Sequence, residues 1–142
     1  MSVFVLDASI VIKRFVPEVH SDAARRLLRY RHDYIAPDLL FAETANAIWK
    51  KVDRGELSPQ DGARLVADVD KVAVETVPCR ALAEDAYALA VATRQTVYDA
   101  MYLALAVRLD TRMITADERL AGALGAVRPL AVHIATVQIF RG

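Results

Sequence analysis

Short unbroken apolar runs alternate along this chain with longer stretches of helical period. Val3-Phe4-Val5-Leu6 is continuous and rich in valine, which predicts a buried strand. The next stretch, 9–16, reads as a helix stopped by Pro17. Ser21 can open a second helix, with Ala23, Ala24, Leu27 and Leu28 on one face and arginines on the other. Tyr34-Ile35-Ala36 predicts another short strand, and Pro37-Asp38 starts a long helix that runs to Asp53 and is closed by Gly55. Ser58-Pro59-Gln60-Asp61 has the form of a helix start, and that helix runs to Lys71. Further strands are expected over 72–77, 112–115 and 132–134, and further helices over 82–93, 96–109 and 117–124. Strands alternate with helices from end to end, which predicts an α/β fold with a parallel or mostly parallel sheet covered by helices. The helix pair on either side of Gly55 is expected to project as a hairpin and offer a surface to a partner.

Composition sharpens this picture in three places. A chain of 142 residues, 55% hydrophobic and 25% charged, fits one globular domain over 1–142. The longest apolar run, 100–107, suits a buried helix and is too short to span a bilayer, so no membrane is expected. The first residues lack the features of a signal peptide, and Cys79 is the only cysteine, which excludes an internal disulfide and a CxxC zinc site; a cytoplasmic protein is expected. Lys+Arg and Asp+Glu number 18 each, so net charge does not point to nucleic acid. The cations are clustered all the same: Arg25, Arg26, Arg29 and Arg31 in one stretch, Lys50, Lys51 and Arg54 in another.

Four acids stand out by position. Asp7 follows the first strand and Asp117 a later one, places that suit a helix N-cap as well as a ligand. Asp99 lies three residues after Thr96, as in a capping box, yet in an otherwise apolar helix where an unpartnered acid is costly. Thr115-Ala116-Asp117-Glu118 also reads as a capping box led by Thr115. Glu43 lies mid-helix, where capping cannot explain it, among Leu39, Leu40, Phe41, Ala45 and Ile48; Asn46 falls one turn later on the same side. A solvated stripe of Glu43 and Lys50 is the alternative. Ligands of open α/β sheets bind beyond the carboxyl ends of strands, where Asp7 and Asp117 fall. Two bare carboxylates about 4 Å apart repel by roughly 4 kcal/mol at an effective dielectric near 20. A hard divalent cation, Mg²⁺ or Mn²⁺ rather than zinc, is the usual reason a fold gathers such groups. Spacing alone does not establish that the four converge.

The order of these pieces resembles the PIN-domain ribonucleases, and within them the VapC-type toxins of toxin–antitoxin pairs. The matching segments are Leu6-Asp7-Ala8-Ser9, the helix bearing Glu43, Tyr98-Asp99-Ala100-Met101-Tyr102-Leu103-Ala104, and Ile114-Thr115-Ala116-Asp117-Glu118-Arg119-Leu120. The resemblance implies a three-layer αβα sandwich and Mg²⁺- or Mn²⁺-dependent cleavage of single-stranded RNA. It assigns Asp7, Glu43, Asp99 and Asp117 to the acidic set, with Ser9 and Thr115 as supporting hydroxyls and Asn46 as a neighbour. It also implies a homodimer and a cognate antitoxin whose C-terminal segment covers the groove. Asp7 and Asp99 would hold the main metal, Glu43 would bind it or orient water, and Asp117 would hold a second metal or position the first.

Other residues carry weaker expectations. His20, His32 and His133 read as surface or structural. Lys13 and Arg14 read as a solvated helix face that could also reach phosphates. Trp49 and Phe41 are expected in the core or a dimer interface, and Tyr98 and Tyr102 in helix packing. The rival readings are an RNA-processing or DNA-directed PIN nuclease, a phosphotransferase or dehalogenase-like hydrolase (which would want Asp-x-Asp where Ser9 stands), and a non-catalytic metal-binding interaction module.

Overall fold

The computed structural model describes residues 3–18, 20–29, 32–138 and 140; Arg31 lies outside them. Five parallel strands form one sheet: β1 (Val3–Leu6), β2 (Asp33–Pro37), β3 (Glu75–Val77), β4 (Met113–Thr115) and β5 (Ile134–Thr136), in the order β3-β2-β1-β4-β5. Seven α-helices are described: α1 (Ala8–Phe15), α2 (Ser21–Arg29), α3 (Leu39–Asp53), α4 (Pro59–Val69), α5 (Cys79–Thr93), α6 (Val97–Arg108) and α7 (Glu118–Gly125). The sheet is parallel throughout, and none of these helices is long and apolar enough to cross a membrane.

Alternation along the strands builds two cores. Val5, Ile35 and Met113 face one way, into a cluster with Leu40, Leu82 and the whole of 100–106 from α6. Phe4, Leu6, Tyr34 and Ile114 face the other way, against Ile10, Ala24 and Leu27. Successive strand residues point to opposite faces, so a short strand apolar on both faces must be covered on both, giving three layers. Residues 100–106 of α6 are all buried, which explains their apolar composition.

Caps set several boundaries. Ser58 accepts from the Asp61 N–H at 3.1 Å, and Thr96 from the Asp99 N–H at 3.1 Å, as their sequences predict. At the end of α3, the Gly55 N–H reaches the Val52 carbonyl and the Glu56 N–H the Lys51 carbonyl, with Gly55 at φ +78, a Schellman closure that requires the left-handed backbone glycine supplies. The hairpin of α3 and α4 forms, and Gly62 lets them approach closely: a Cβ there would sit 2.8 Å from Val52 Cγ2.

Elsewhere the boundaries move. The strand expected over 72–77 pairs only over Glu75–Val77, because Val72 and Val74 make turn hydrogen bonds to Val69 and Val72. Helix α5 starts at Cys79 rather than Leu82, since Asp38 Oδ1 accepts the Cys79 N–H at 3.0 Å across a chain separation that local pattern does not reveal. The last strand lies at Ile134–Thr136; most of the 132–134 stretch is a 3₁₀ turn, Leu130–His133, which buries Leu130. Trp49, at 57% exposed, lies outside the chain's core, and Tyr98, at 59%, does not pack.

Candidate active site

The strand order reverses at β1: β2 lies on one side of it and β4 on the other. In open α/β sheets that switch point opens a crevice at the carboxyl ends of the strands. Asp7 leaves β1 there, and Thr115 to Asp117 leave β4; the Asp7 N–H donates to the Ile114 carbonyl at 3.1 Å and binds the two turns together.

Asp7 occupies the N-cap position of α1 with extended backbone, yet its side chain makes no capping bond. Its Oδ2 accepts instead from Ser9 Oγ at 2.7 Å and from Thr115 Oγ1 at 2.9 Å. Ser9 Oγ in turn accepts the Ala116 N–H at 3.0 Å, and Thr115 Oγ1 the Asp117 N–H at 3.0 Å. Each hydroxyl has one proton, and backbone N–H groups aimed at both oxygens direct both protons to Asp7. Both hydroxyls act on the same oxygen, Oδ2.

Glu43, in the middle of α3, accepts from the Tyr102 hydroxyl at 2.6 Å. Tyr102 is fully buried and stands one turn beyond Asp99 on α6. Asp99 lies in the first turn of α6, where the helix dipole favours negative charge, and its N–H donates to the Thr96 cap. Asp117 is itself the N-cap of α7: Oδ1 accepts the Leu120 N–H at 3.0 Å. The cap expected at Thr115 is therefore supplied by Asp117, without a reciprocal box because Leu120 holds the third position, while Thr115 is still in β4 and directs its hydroxyl to Asp7. Asn46 is exposed on α3.

The electrostatics tie three of the acids into one neighbourhood. Burial raises the pKa of Asp7; the Ser9 and Thr115 hydrogen bonds oppose this, and the Asp99 charge adds to it. Burial also raises Glu43, opposed by Tyr102 and reinforced by the charges of Asp7 and Asp99. Asp99 is raised by burial and by Asp117, against Thr96 and Arg119. The Tyr102 hydroxyl is pushed far up by burial and by Asp7, Glu43 and Asp99, so it stays a proton donor. Among the described residues no three acidic, histidine or cysteine side chains are already placed to enclose one ion. The donor chemistry nevertheless fits a hard cation: oxygen only, mutually repelling, with one carboxylate oriented by two hydroxyls.

The remaining polar residues sort differently. His133 Nδ1 is 2.8 Å from the Thr111 carbonyl, His20 is 4.0 Å from Glu118, and His32 stacks edge-on against Phe4. Lys13 is no freely solvated side chain: with Lys51 it binds Glu18, at 3.1 and 2.9 Å. Arg25, Arg26 and Arg29 line a separate cavity with Arg14 and Asp22. Sequence reading assigned Tyr102 to packing and singled out no role for Glu18; the one signal for Tyr102 was its position three residues after Asp99.

The PIN domain profile matches residues 4–123. The chain belongs to the PIN-domain family. Ribonuclease VapC3 of Pyrobaculum aerophilum is 33% identical over 119 residues, covering 82% of this chain and 91% of that protein. Ribonuclease VapC46 of Mycobacterium tuberculosis is 34% identical over 126 residues, covering 87% and 91%. Two solved structures share the fold. A Pyrobaculum aerophilum protein gives a TM-score of 0.69 at 21% identity over 96% of this chain and 90% of its own. The Mycobacterium tuberculosis VapC20 toxin, which cleaves the sarcin-ricin loop, gives 0.65 at 17% identity over 86% and 95%. This PIN domain is thus of the VapC type, and the segments that carried the resemblance in its sequence meet at one sheet edge.

Proposed function

We propose that this chain is a divalent-metal-dependent endoribonuclease that cuts single-stranded RNA as the cytoplasmic toxin of a toxin–antitoxin pair. One observation carries the reading. In a VapC-type chain, Asp7, Glu43 and Asp99 sit on three elements near one another, burial raises the pKa of each, and none makes a salt bridge with a lysine or arginine among the described residues, Arg119 acting on Asp99 only at a distance. A fold that places such charges together without a cationic partner is built for one that binds there.

Asp7 and Asp99 would hold Mg²⁺ or Mn²⁺, with Glu43 and Asp117 completing or flanking the set. The ion supplies charge neutralisation for an anionic phosphodiester and lowers the pKa of bound water. The chain's own contribution is positional. Ser9 and Thr115 hold Asp7 by its Oδ2. Tyr102 fixes one oxygen of Glu43 and leaves the other to orient water or ligand. Asp117 divides its carboxylate between the α7 cap and the cleft.

Two partners belong to this proposal. A cognate antitoxin would cover the acidic edge with its C-terminal segment and silence it. A second copy of the chain would cover exposed apolar residues on α5 and α6, where Tyr87 and Val91 are each 65% exposed and Tyr98 is nearby in sequence. Purified protein should cut a single-stranded oligoribonucleotide with Mn²⁺, stop with EDTA, and leave single-stranded DNA intact. Expression should arrest growth, and Asp99→Ala should relieve the arrest. Cleavage that persists in chelator, or a preference for DNA, would refute the reading.

A further inference from the structure

Beside the acidic edge lies a cavity of about 340 Å³ between α1, α3 and the turn from β4 to α7. Ser9, Ala116 and Asp117, from the turns that carry the acidic edge, line it. Its charged lining is otherwise basic: Lys13, Lys50, Lys51 and Arg54, against Glu18 and Asp117. We propose that this cavity is a phosphate subsite for the RNA strand, in which Glu18 holds Lys13 and Lys51 in place and Lys50 and Arg54 extend the contact outward. The proposal rests on the nuclease reading above and adds where the strand runs once it leaves the acidic edge.

The geometry around Glu18 carries the argument. Its two oxygens are used separately: Oε1 is 2.9 Å from Lys51 Nζ and Oε2 is 3.1 Å from Lys13 Nζ. The residue is anchored from behind, since its N–H donates to Ser21 Oγ at 2.8 Å and Ser21 Oγ donates to the Val16 carbonyl. Each ammonium has three protons and gives one to Glu18, which leaves protons on both for another acceptor. The two lysine side chains are only 14% and 15% exposed, so their charges are held in the wall rather than spread into solvent. One lysine would suffice to tie the segment after α1 to a neighbouring helix. A second lysine, with Lys50 and Arg54 one helical turn apart on the same helix, makes a surplus of positive charge. Arg54 also meets Glu56, at 3.3 Å and well exposed, a weak pair that an anion can compete for. A phosphodiester backbone presents a row of such anions, and lysine and arginine contacts to it position a strand without reading its bases.

The test uses the full chain with Asp99→Asn to block cleavage, and follows binding of a fluorescein-labelled single-stranded oligoribonucleotide by anisotropy in Mg²⁺. Lys50→Ala and Arg54→Ala should each weaken binding by about fivefold, and each should lower the slope of log K against log salt by about 0.7. Arg64→Ala removes the same charge from the outer face of α4 and should leave binding unchanged. Glu18→Gln supplies the sign that separates the proposal from a purely structural role. If Glu18 serves beside a phosphate site, freeing the two lysines should tighten RNA binding by about threefold. If it is only a tie between elements, the variant should bind RNA no better, and that result overturns the proposal. Variants at 50 and 54 that bind like Arg64→Ala overturn it too. So does a loss of poly-glutamate binding with RNA binding intact, which would assign the cavity to an acidic peptide. These results are separable from the underlying activity: a chain that cuts RNA with Mn²⁺ but fails here loses the subsite alone, whereas a chain that cuts no RNA loses the nuclease reading.

Discussion

Asp7 and Glu18 bracket helix α1, one before its first turn and one beyond its last, and they are surrounded by opposite kinds of partner. Asp7 has two hydroxyls and nearby negative charge; burial dominates, and its pKa rises. Glu18 has two ammonium groups in contact; despite partial burial, its pKa falls. The same side-chain chemistry thus has hydroxyls alone against it at one end of the helix and two ammonium groups at the other. A carboxylate that serves structure is given its counter-ion by the chain, as Glu18 is. A carboxylate held against its own burial with only hydroxyls to steady it depends on something that arrives from outside. That difference, more than the number of acids, supports the proposal that the β1–β4 edge is the place of chemistry and the neighbouring cavity its basic margin.

The comparison breaks first, and most visibly, at Asp7. Asp7→Asn keeps the shape and an acceptor for Ser9 and Thr115 but removes the charge. RNA cleavage with Mn²⁺ should fall by about a thousandfold or more while the far-ultraviolet dichroism stays native. Cleavage within tenfold of wild type would show that Asp7 serves only to tie the β1 and β4 turns together through Ser9 and Thr115. A smaller loss is expected at Tyr102, whose hydroxyl donates to Glu43. Tyr102→Phe should lower the rate by about tenfold. It should also move the acid limb of the pH–rate profile to higher pH, because the hydrogen bond that opposes the raised pKa of Glu43 is gone. A loss of rate with no movement of that limb would assign Tyr102 to packing alone.

Much of this site could be read from the chain before its coordinates, and for a physical reason. Strand ends and helix starts are local events: an apolar run followed by an acid marks Asp7, and a lone acid in an apolar helix marks Asp99. Glu43 was conspicuous because mid-helix position removes the capping explanation. Asp117 was legible as a position and misread in detail, since the register of β4 decides whether Thr115 or Asp117 caps α7. The Tyr102–Glu43 bond joins residues 59 apart, and Glu18 meets Lys51 across α3; neither leaves a periodic trace. Trp49 lies outside the core, one of the two places expected for it, and Tyr98 outside the helix packing expected of it, because helical period says which residues share a face and not which face the fold covers.

The smallest effects sharpen the contrast between Asp7 and Glu18 by sign rather than by size. Folding stability depends on pH through the difference in protons bound by the unfolded and folded states. Asp7 has a raised folded value, so its stabilising protonation is complete below the ordinary carboxylate value near 3.8 and is lost as pH rises through the raised one. Glu18 is the reverse: its contribution is present above the ordinary value near 4.5 and is lost as pH falls through the lowered one. In chelator at pH 7.5, Asp7→Asn should therefore melt a few degrees above wild type, an effect of about 1 kcal/mol, and this advantage should shrink on acidification. Glu18→Gln should melt below wild type at pH 7.5 by about 1 kcal/mol or less, as expected of ion pairs that keep some contact with water, and its deficit should shrink at low pH. Divalent cation should erase the advantage of Asp7→Asn by stabilising wild type selectively, and should leave the deficit of Glu18→Gln where it was. Two variants that respond alike to acid and to Mg²⁺ would mean that both carboxylates serve the fold in the same way.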